Sequence, residues 1–301
     1  MKTIAILGGS GMLGSMLIDF FSHQKEYTVI GALRDDAYKE IIEKKYPHIQ
    51  WVHISTDYKN KTSDLDAIPN CDWIINAIGI TKPLVKDDDP EQIERAIWVN
   101  AIFPKYIGEF AQTRGARVLQ IATDCVYSGI KGQYVESDAH DSLDVYGKTK
   151  SLGECYLANV KHLRCSIIGP EKRNYKFLLT WFLSQSRGAT VNGFSNHVWN
   201  GITTLHFAKI CHGIISHDIE LPHLHHVVPI NDITKDELLK LFSHYYNRED
   251  ININTIEAPL IIDRTLRTAN TVLNKDIWNS AGYLHPPTIE QMIQELSNVR
   301  I

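Results

Sequence analysis

The chain has 301 residues, of which 44% are hydrophobic and 22% charged, the balance of an ordinary globular protein with length for one large or two modest domains. Its 31 basic and 35 acidic residues leave a net charge of -4, so no overall field favours nucleic acid or an anionic membrane surface. The five cysteines (Cys71, Cys125, Cys155, Cys165, Cys211) are scattered without a C-x-x-C pair, which argues for reduced thiols and against a disulfide framework or structural zinc.

The run Ile4-Ala5-Ile6-Leu7 ends in Gly8-Gly9-Ser10-Gly11-Met12-Leu13-Gly14, and helical apolar spacing follows from Met12 to Phe21. Strand, turn and helix in that order predict a dinucleotide-binding turn. Gly8 lets the chain bend off the strand, Gly11 clears space for a pyrophosphate, and Gly14 allows close packing. Exposed amides around Ser10, Met12 and Leu13 lie at the positive end of the helix. The start Met1-Lys2-Thr3 lacks a signal-peptide layout and no stretch reaches membrane-spanning length, so the expectation is a cytoplasmic protein.

Tyr27–Leu33 reads as the second strand, completing a parallel unit. An acid after that strand would hold the ribose of NAD, whereas an arginine accommodates the 2′-phosphate of NADP. Arg34 comes first here, followed by Asp35 and Asp36, which favours NADP and leaves NAD open through Asp35. Residues 36–46 read as a helix and Trp51–Ile54 as a third strand. Asp57, Asp64 and Asp66 are adenine contacts by positional analogy alone.

Trp73–Gly79 reads as the fourth strand, running into small residues, Ala77 and Gly79, that suit a wall against a flat cofactor. Asn76 at this strand end reads first as a polar group that satisfies backbone. Pro90 can start a long helix through about Arg114, in which Asn100 is expected to bond neighbouring backbone. Arg117–Ala122 is the fifth strand. Strands alternating with helices predict an α/β doubly wound parallel sheet with its ligand at the strands' carboxyl ends.

The fifth strand ends in Thr123-Asp124-Cys125, and Tyr146-Gly147-Lys148-Thr149-Lys150 follows some twenty residues later. A Tyr and a Lys four apart share one helix face. An ammonium ~4 Å away would stabilise a phenolate by about 4 kcal/mol at an effective dielectric of ~20, an upper estimate that brings the tyrosine near neutrality. Thr123 could bind a carbonyl oxygen between the tyrosine proton and a nicotinamide hydride, with Asp124 assisting. Tyr127 and Lys131 have the same spacing, but Gly129 and Gly132 make a helix there unfavourable.

These motifs, with Gly153-Glu154 after the lysine, resemble the extended short-chain dehydrogenases/reductases, most closely the dTDP-4-dehydrorhamnose reductase branch. The resemblance includes Leu163-Arg164-Cys165-Ser166-Ile167-Ile168-Gly169, Trp199-Asn200-Gly201-Ile202-Thr203-Thr204 and Arg264-Thr265-Leu266. It implies a Rossmann-type fold, a Thr123/Tyr146/Lys150 triad, Lys150 on the nicotinamide ribose, and reduction of a nucleotide-linked 4-keto-6-deoxy sugar. Two departures matter. Ala122 precedes the threonine where relatives often carry a hydroxyl, and Asp124 is followed by Cys125, not the Glu of the sugar dehydratases.

After about residue 160 the alternation loosens, and a smaller C-terminal substrate-binding lobe over 161–301 is expected beside a dinucleotide-binding domain over 1–160 that also receives later segments. Phe177–Ser186 reads as a helix, with Trp181 more often core than ligand. The loop Asn192–Gly201, with Trp199 and Asn200, offers sugar or nucleotide contacts, and it could equally be a rigid turn. Arg264 and Arg267 could clamp a diphosphate or form surface ion pairs. His223-Leu224-His225-His226 reads as a strand of satisfied or exposed histidines, without an acidic or cysteine partner at metal spacing. The expected partner is a nucleotide sugar, with neither nucleic acid nor membrane, and a homodimer is allowed. Rival readings are an epimerase holding NAD tightly and a regulatory subunit resembling the reductase-like partner of methionine adenosyltransferase.

Overall fold

The computed structural model describes residues 1–60, 62–172 and 176–299. The chain divides into two compact units. The first comprises Met1–Val126, Ser142–Leu163 and Glu220–Leu224; the second takes Tyr127–Asp141, Arg164–Ile219 and everything from His225 onward. No helix among the described residues is long and apolar enough to cross a membrane.

A seven-stranded sheet organises the fold: β1 (Lys2–Leu7), β2 (Tyr27–Leu33), β3 (Gln50–His53), β4 (Trp73–Asn76), β5 (Arg117–Thr123), β6 (Val160–Cys165) and β7 (Leu224–His226). Their spatial order is β3-β2-β1-β4-β5-β6-β7. β1 pairs in parallel with β2 on one side and β4 on the other, so the winding reverses between β1 and β4 and leaves a crevice at their carboxyl ends. Ile4, Ala5, Ile6 and Leu7 are wholly buried, as expected of a strand covered on both faces. One cover is α4 (Phe103–Thr113), whose Phe103, Ile107 and Ala111 meet Ala5, Ile30, Ile74 and Val118 in a single apolar cluster.

Three predicted elements end differently. The fourth strand stops at Asn76 because Ile78 N folds back to donate to Asn76 Oδ1 at 3.0 Å, which takes the chain out of the sheet. The helix from Pro90 is continuous in course but changes its winding: α3 (Pro90–Ala96) passes into a π-helical stretch, Ile97–Ile102, before α4. Pro104 cannot donate to the carbonyl four residues back, and Phe103 N instead reaches Trp98 O, five back. The histidine strand is confined to Leu224–His226, with Pro222 and Pro229 on either side.

In the second unit the wholly buried Arg164 holds its neighbours together. Its Nη1 donates to Tyr127 Oη at 2.6 Å and to His226 Nε2 at 2.8 Å, and Nη2 donates to His140 Nε2 at 2.8 Å. An arginine has no acceptor, so both imidazoles must offer a lone pair and stay neutral. His226 then carries its proton on Nδ1, which donates to Arg267 O at 2.8 Å, and burial together with Arg164 pushes its pKa down to about 4. Its lone pair thus serves a buried cation. Among the described residues no group of three or more His, Cys, Asp or Glu is arranged to hold a metal.

Candidate active site

The site grows from the crevice between β1 and β4. Gly8 has φ +83°, a left-handed turn that takes the chain sharply off β1. A Cβ at Gly14 would lie 2.0 Å from Gly8 O, so glycine alone lets α1 (Met12–Ser22) start against the turn. A Cβ at Gly11 would meet only Gly8 O, at 3.4 Å, and would otherwise project into open space. No side chain caps α1, and the amides of Met12, Leu13 and Gly14 have no acceptor within their own helix. An open cradle backed by these donors fits a pyrophosphate.

At the end of β2, Arg34 is exposed, while Asp35 caps α2 (Asp36–Lys45) by accepting from Tyr38 N at 3.1 Å. The acid that could take a ribose is engaged in folding, and the cation stands outward. The other three acids are also engaged locally. Asp57 accepts from Lys59 N, Asn60 N and Asn60 Nδ2, Asp64 from Ser55, and Asp66 pairs with Arg114 at 3.3 Å.

Beyond β4, Asn76 is buried and its amide is used twice, Nδ2 donating to Gln120 Oε1 at 2.7 Å and Oδ1 accepting from Ile78 N. It shapes the turn that presents Ala77 and Gly79. Asn100 does the same from the π-helical stretch: Oδ1 accepts from Ile80 N at 2.8 Å, and Nδ2 donates to Ile80 O at 2.9 Å and to Thr149 Oγ1 at 3.2 Å.

The candidate chemistry lies where β5 ends. Thr123 and Asp124 are buried, Thr123 Oγ1 donates to Asp124 Oδ1 at 3.2 Å, and Cys125 N donates back to Thr123 Oγ1 at 3.2 Å. α5 (Val145–Leu152) carries Tyr146, partly exposed, and Lys150, buried. Gly147 brings this helix against β5's end, since a Cβ there would lie 2.4 Å from Cys125 O. The Thr123 hydroxyl bonds the Tyr146 phenol, and Lys150, one turn on along α5, reaches the same strand end at Ile121 O, two residues before Thr123. Tyr127 and Lys131 are not helical, and Tyr127 instead stacks on Tyr134 at 4.1 Å.

One expectation about this pair is corrected. Burial, helped by the acidic groups of Cys125, Asp124 and Asp144, pushes the Tyr146 phenol above its ordinary pKa, and only the Thr123 bond works the other way. Lys150 directs its ammonium to Ile121 O at 3.1 Å, and burial lowers its own pKa to about 8 against the pull of Glu154. The phenol is therefore a held proton. Spacing along a helix reports proximity and says nothing of desolvation, which here dominates.

Lys150 is correspondingly costly to the fold. Its pKa falls from 10.5 to about 8, so the unfolded chain binds more protons across that window. Stability therefore rises with pH through it, and the full penalty applies below it. We expect Lys150→Met to be more stable than the parent at pH 7, by at most about 3 kcal/mol because Ile121 O loses its donor. The gap should close as pH approaches 10.5, which thermal unfolding across pH will measure.

The substrate candidates belong to the second unit. Trp199 is buried with Nε1 donating to Ser166 Oγ at 2.8 Å. Asn200 is buried and grips Leu266 from both sides, Nδ2 donating to Leu266 O at 2.8 Å and Oδ1 accepting from Leu266 N at 2.9 Å. Both therefore brace their own unit, and the predicted loop is mostly strand, Thr190–Phe194 and His197–Trp199. Arg264 is partly exposed with Nε donating to Tyr127 O at 2.8 Å, and Arg267 forms the ion-pair alternative with Asp232 at 2.5 Å.

The sequence profile of the family described as RmlD substrate binding domain matches residues 1–299. The chain belongs to that family. The dTDP-4-dehydrorhamnose reductase of Aggregatibacter actinomycetemcomitans is 34% identical over 102 residues, 31% of this chain. The match spans about a third of that relative's length, 34%. Among solved structures, the dTDP-4-dehydrorhamnose reductase of Bacillus anthracis in complex with NADP superposes with a TM-score of 0.72 at 16% identity, covering 98% of each chain. The UDP-glucuronic acid 4-epimerase of Bacillus cereus, as a tyrosine-to-phenylalanine mutant with a fluorinated UDP sugar and NAD, gives 0.71 at 15% identity and 98% of each chain. At such identities the two share the RmlD-type fold with this chain, and the fold alone.

Two residues of this candidate site escape a reading by motif. Asp144 caps α5, accepting from Gly147 N at 2.8 Å, and an Asp directly before a helical segment is a start signal that could have located it. Lys82 pairs with Asp144 at 2.7 Å from a loop 62 positions away, for which no local signal exists.

Proposed function

We propose that this chain is an NADPH-dependent reductase acting on the keto group of a nucleotide-linked 4-keto-6-deoxy sugar, as a dTDP-4-dehydrorhamnose reductase does. The observation that carries the reading is that Thr123 bonds Tyr146 and Lys150 bonds Ile121 O, all at the carboxyl end of β5 and in the same unit as the open glycine cradle. NADPH, when bound, supplies a hydride to the keto carbon. The amides of the turn from Gly8 to Gly14, with Ser10, Met12 and Leu13, hold its pyrophosphate. Arg34 is the candidate for the 2′-phosphate, because Asp35 is committed to capping α2.

Tyr146 gives its proton to the sugar oxygen as the C–H bond forms, leaving an alcohol and a phenolate that is reprotonated from solvent. Burial keeps the phenol protonated and also makes it the weaker acid, so its proton leaves only when a cation beside it offsets the forming phenolate. Thr123, whose single hydroxyl proton goes to Asp124 Oδ1 in the free protein, turns that proton to the same carbonyl oxygen when substrate binds. Lys150, mostly cationic at pH 7, holds the ribose hydroxyls and offsets the phenolate. Arg264 is the second unit's candidate for the substrate diphosphate.

The test is stoichiometry. With dTDP-4-keto-6-deoxyhexose and NADPH we expect mole-for-mole oxidation of cofactor and reduction of sugar. Sugar conversion without net cofactor consumption would make the chain an epimerase, and no conversion of any keto-sugar nucleotide would leave a binding protein.

A further inference from the structure

We propose that Lys82 and Asp87, on the loop between β4 and α3, are positioning residues for Tyr146 that strap this loop across the first turn of α5. The kinetic part rests on the reductase reading; the structural part stands without it. Tyr146 is the second residue of α5, and the first turn of any helix leaves amide donors without acceptors of its own. Two carboxylates meet those donors. Asp144 Oδ1 accepts from Gly147 N at 2.8 Å, and Asp87 Oδ1 accepts from Val145 N at 3.2 Å, from 58 positions earlier in the chain. The amides on either side of Tyr146 are thereby fixed.

Lys82 closes the loop on the same turn, its ammonium 2.7 Å from the second oxygen of Asp144. The loop's ends are pinned independently. Asn100 grips Ile80 by N–H and C=O, and its third bond goes to Thr149, whose hydroxyl donates to Tyr146 O at 3.1 Å. Asp89 caps α3 by accepting from Glu91 N and Gln92 N. Between these anchors Lys82 and Asp87 reach across to the helix that bears the phenol. The Lys82 side chain is 55% exposed, so its pair is screened and individually weak. A weak contact still matters here, because a small misplacement of a reacting group costs far more rate than stability.

The experiment uses Lys82→Met and Asp87→Ala in the full chain, with Lys82→Arg as the conservative variant. Backbone amide exchange over residues 145–147 should quicken by about threefold in the first two. Their kcat should fall roughly tenfold while KM for NADPH stays within about twofold. Lys82→Arg should restore both readouts. Parent-like exchange at these amides, or slowed turnover that Lys82→Arg fails to rescue, overturns the proposal. If the parent reduces no keto-sugar nucleotide, the reductase reading falls and the exchange rates alone decide whether the strap exists.

Discussion

Tyr146→Phe is expected to remove sugar reduction almost entirely, by about 10²- to 10⁴-fold in kcat, while leaving NADPH affinity and melting temperature close to those of the parent. The phenol's oxygen is hydrogen-bonded by Thr123 and its ring is only partly enclosed, so deleting the hydroxyl leaves a hole of one atom and a threonine that still donates to Asp124. Fold and cofactor site are spared. What goes is the proton that the proposed mechanism delivers to the keto oxygen. Turnover at the parental rate would sink the mechanism, since water would have to be supplying the proton equally well.

Gly14→Ala and Gly11→Ala should separate two functions of one turn. At Gly14 the added methyl would sit 2.0 Å from Gly8 O and 2.6 Å from Gly8 C, a collision with backbone that no side-chain rotation relieves. We expect a loss of roughly 1–3 kcal/mol or more, a lowered melting temperature and loss of NADPH binding together. At Gly11 the nearest atom is 3.4 Å away and the backbone, at φ -80° and ψ 170°, suits any residue. Gly11→Ala should therefore fold normally and lose cofactor affinity alone. Titration with NADPH and thermal unfolding of the two variants check this directly; a stable Gly14→Ala that binds normally contradicts the packing argument.

Legibility in the sequence followed the range of the interaction. The strand ends at Thr123, the glycine turn and the Tyr146/Lys150 face depend on neighbours within a few residues, and those readings needed only spacing and turn chemistry. The sign of the tyrosine's shift was not legible, because it depends on how deeply α5 sits and on Cys125, Asp124 and Asp144 around it. Trp199 and Asn200 illustrate the same limit. Both are residue types that recognise sugars, yet Asn200 finds its acceptor and donor on Leu266, 66 positions on, and becomes a brace. Arg164 reads as an ordinary residue in a strand, and only the fold brings Tyr127, His140 and His226 around it.

The widened turn at Ile97–Ile102 acts like one surplus residue in an otherwise regular rod. Removing that surplus residue would let the rod rewind to its ordinary pitch with the turns on either side still in phase, and only the contacts made from the widened turn itself would be lost. Asn100 would then face away from Ile80, and its carbonyl would no longer meet the groove that Gly153 leaves bare. A shortened chain of this kind should still fold and should lose the alignment of α5, so the widening serves the segment packed against it rather than the helix that carries it.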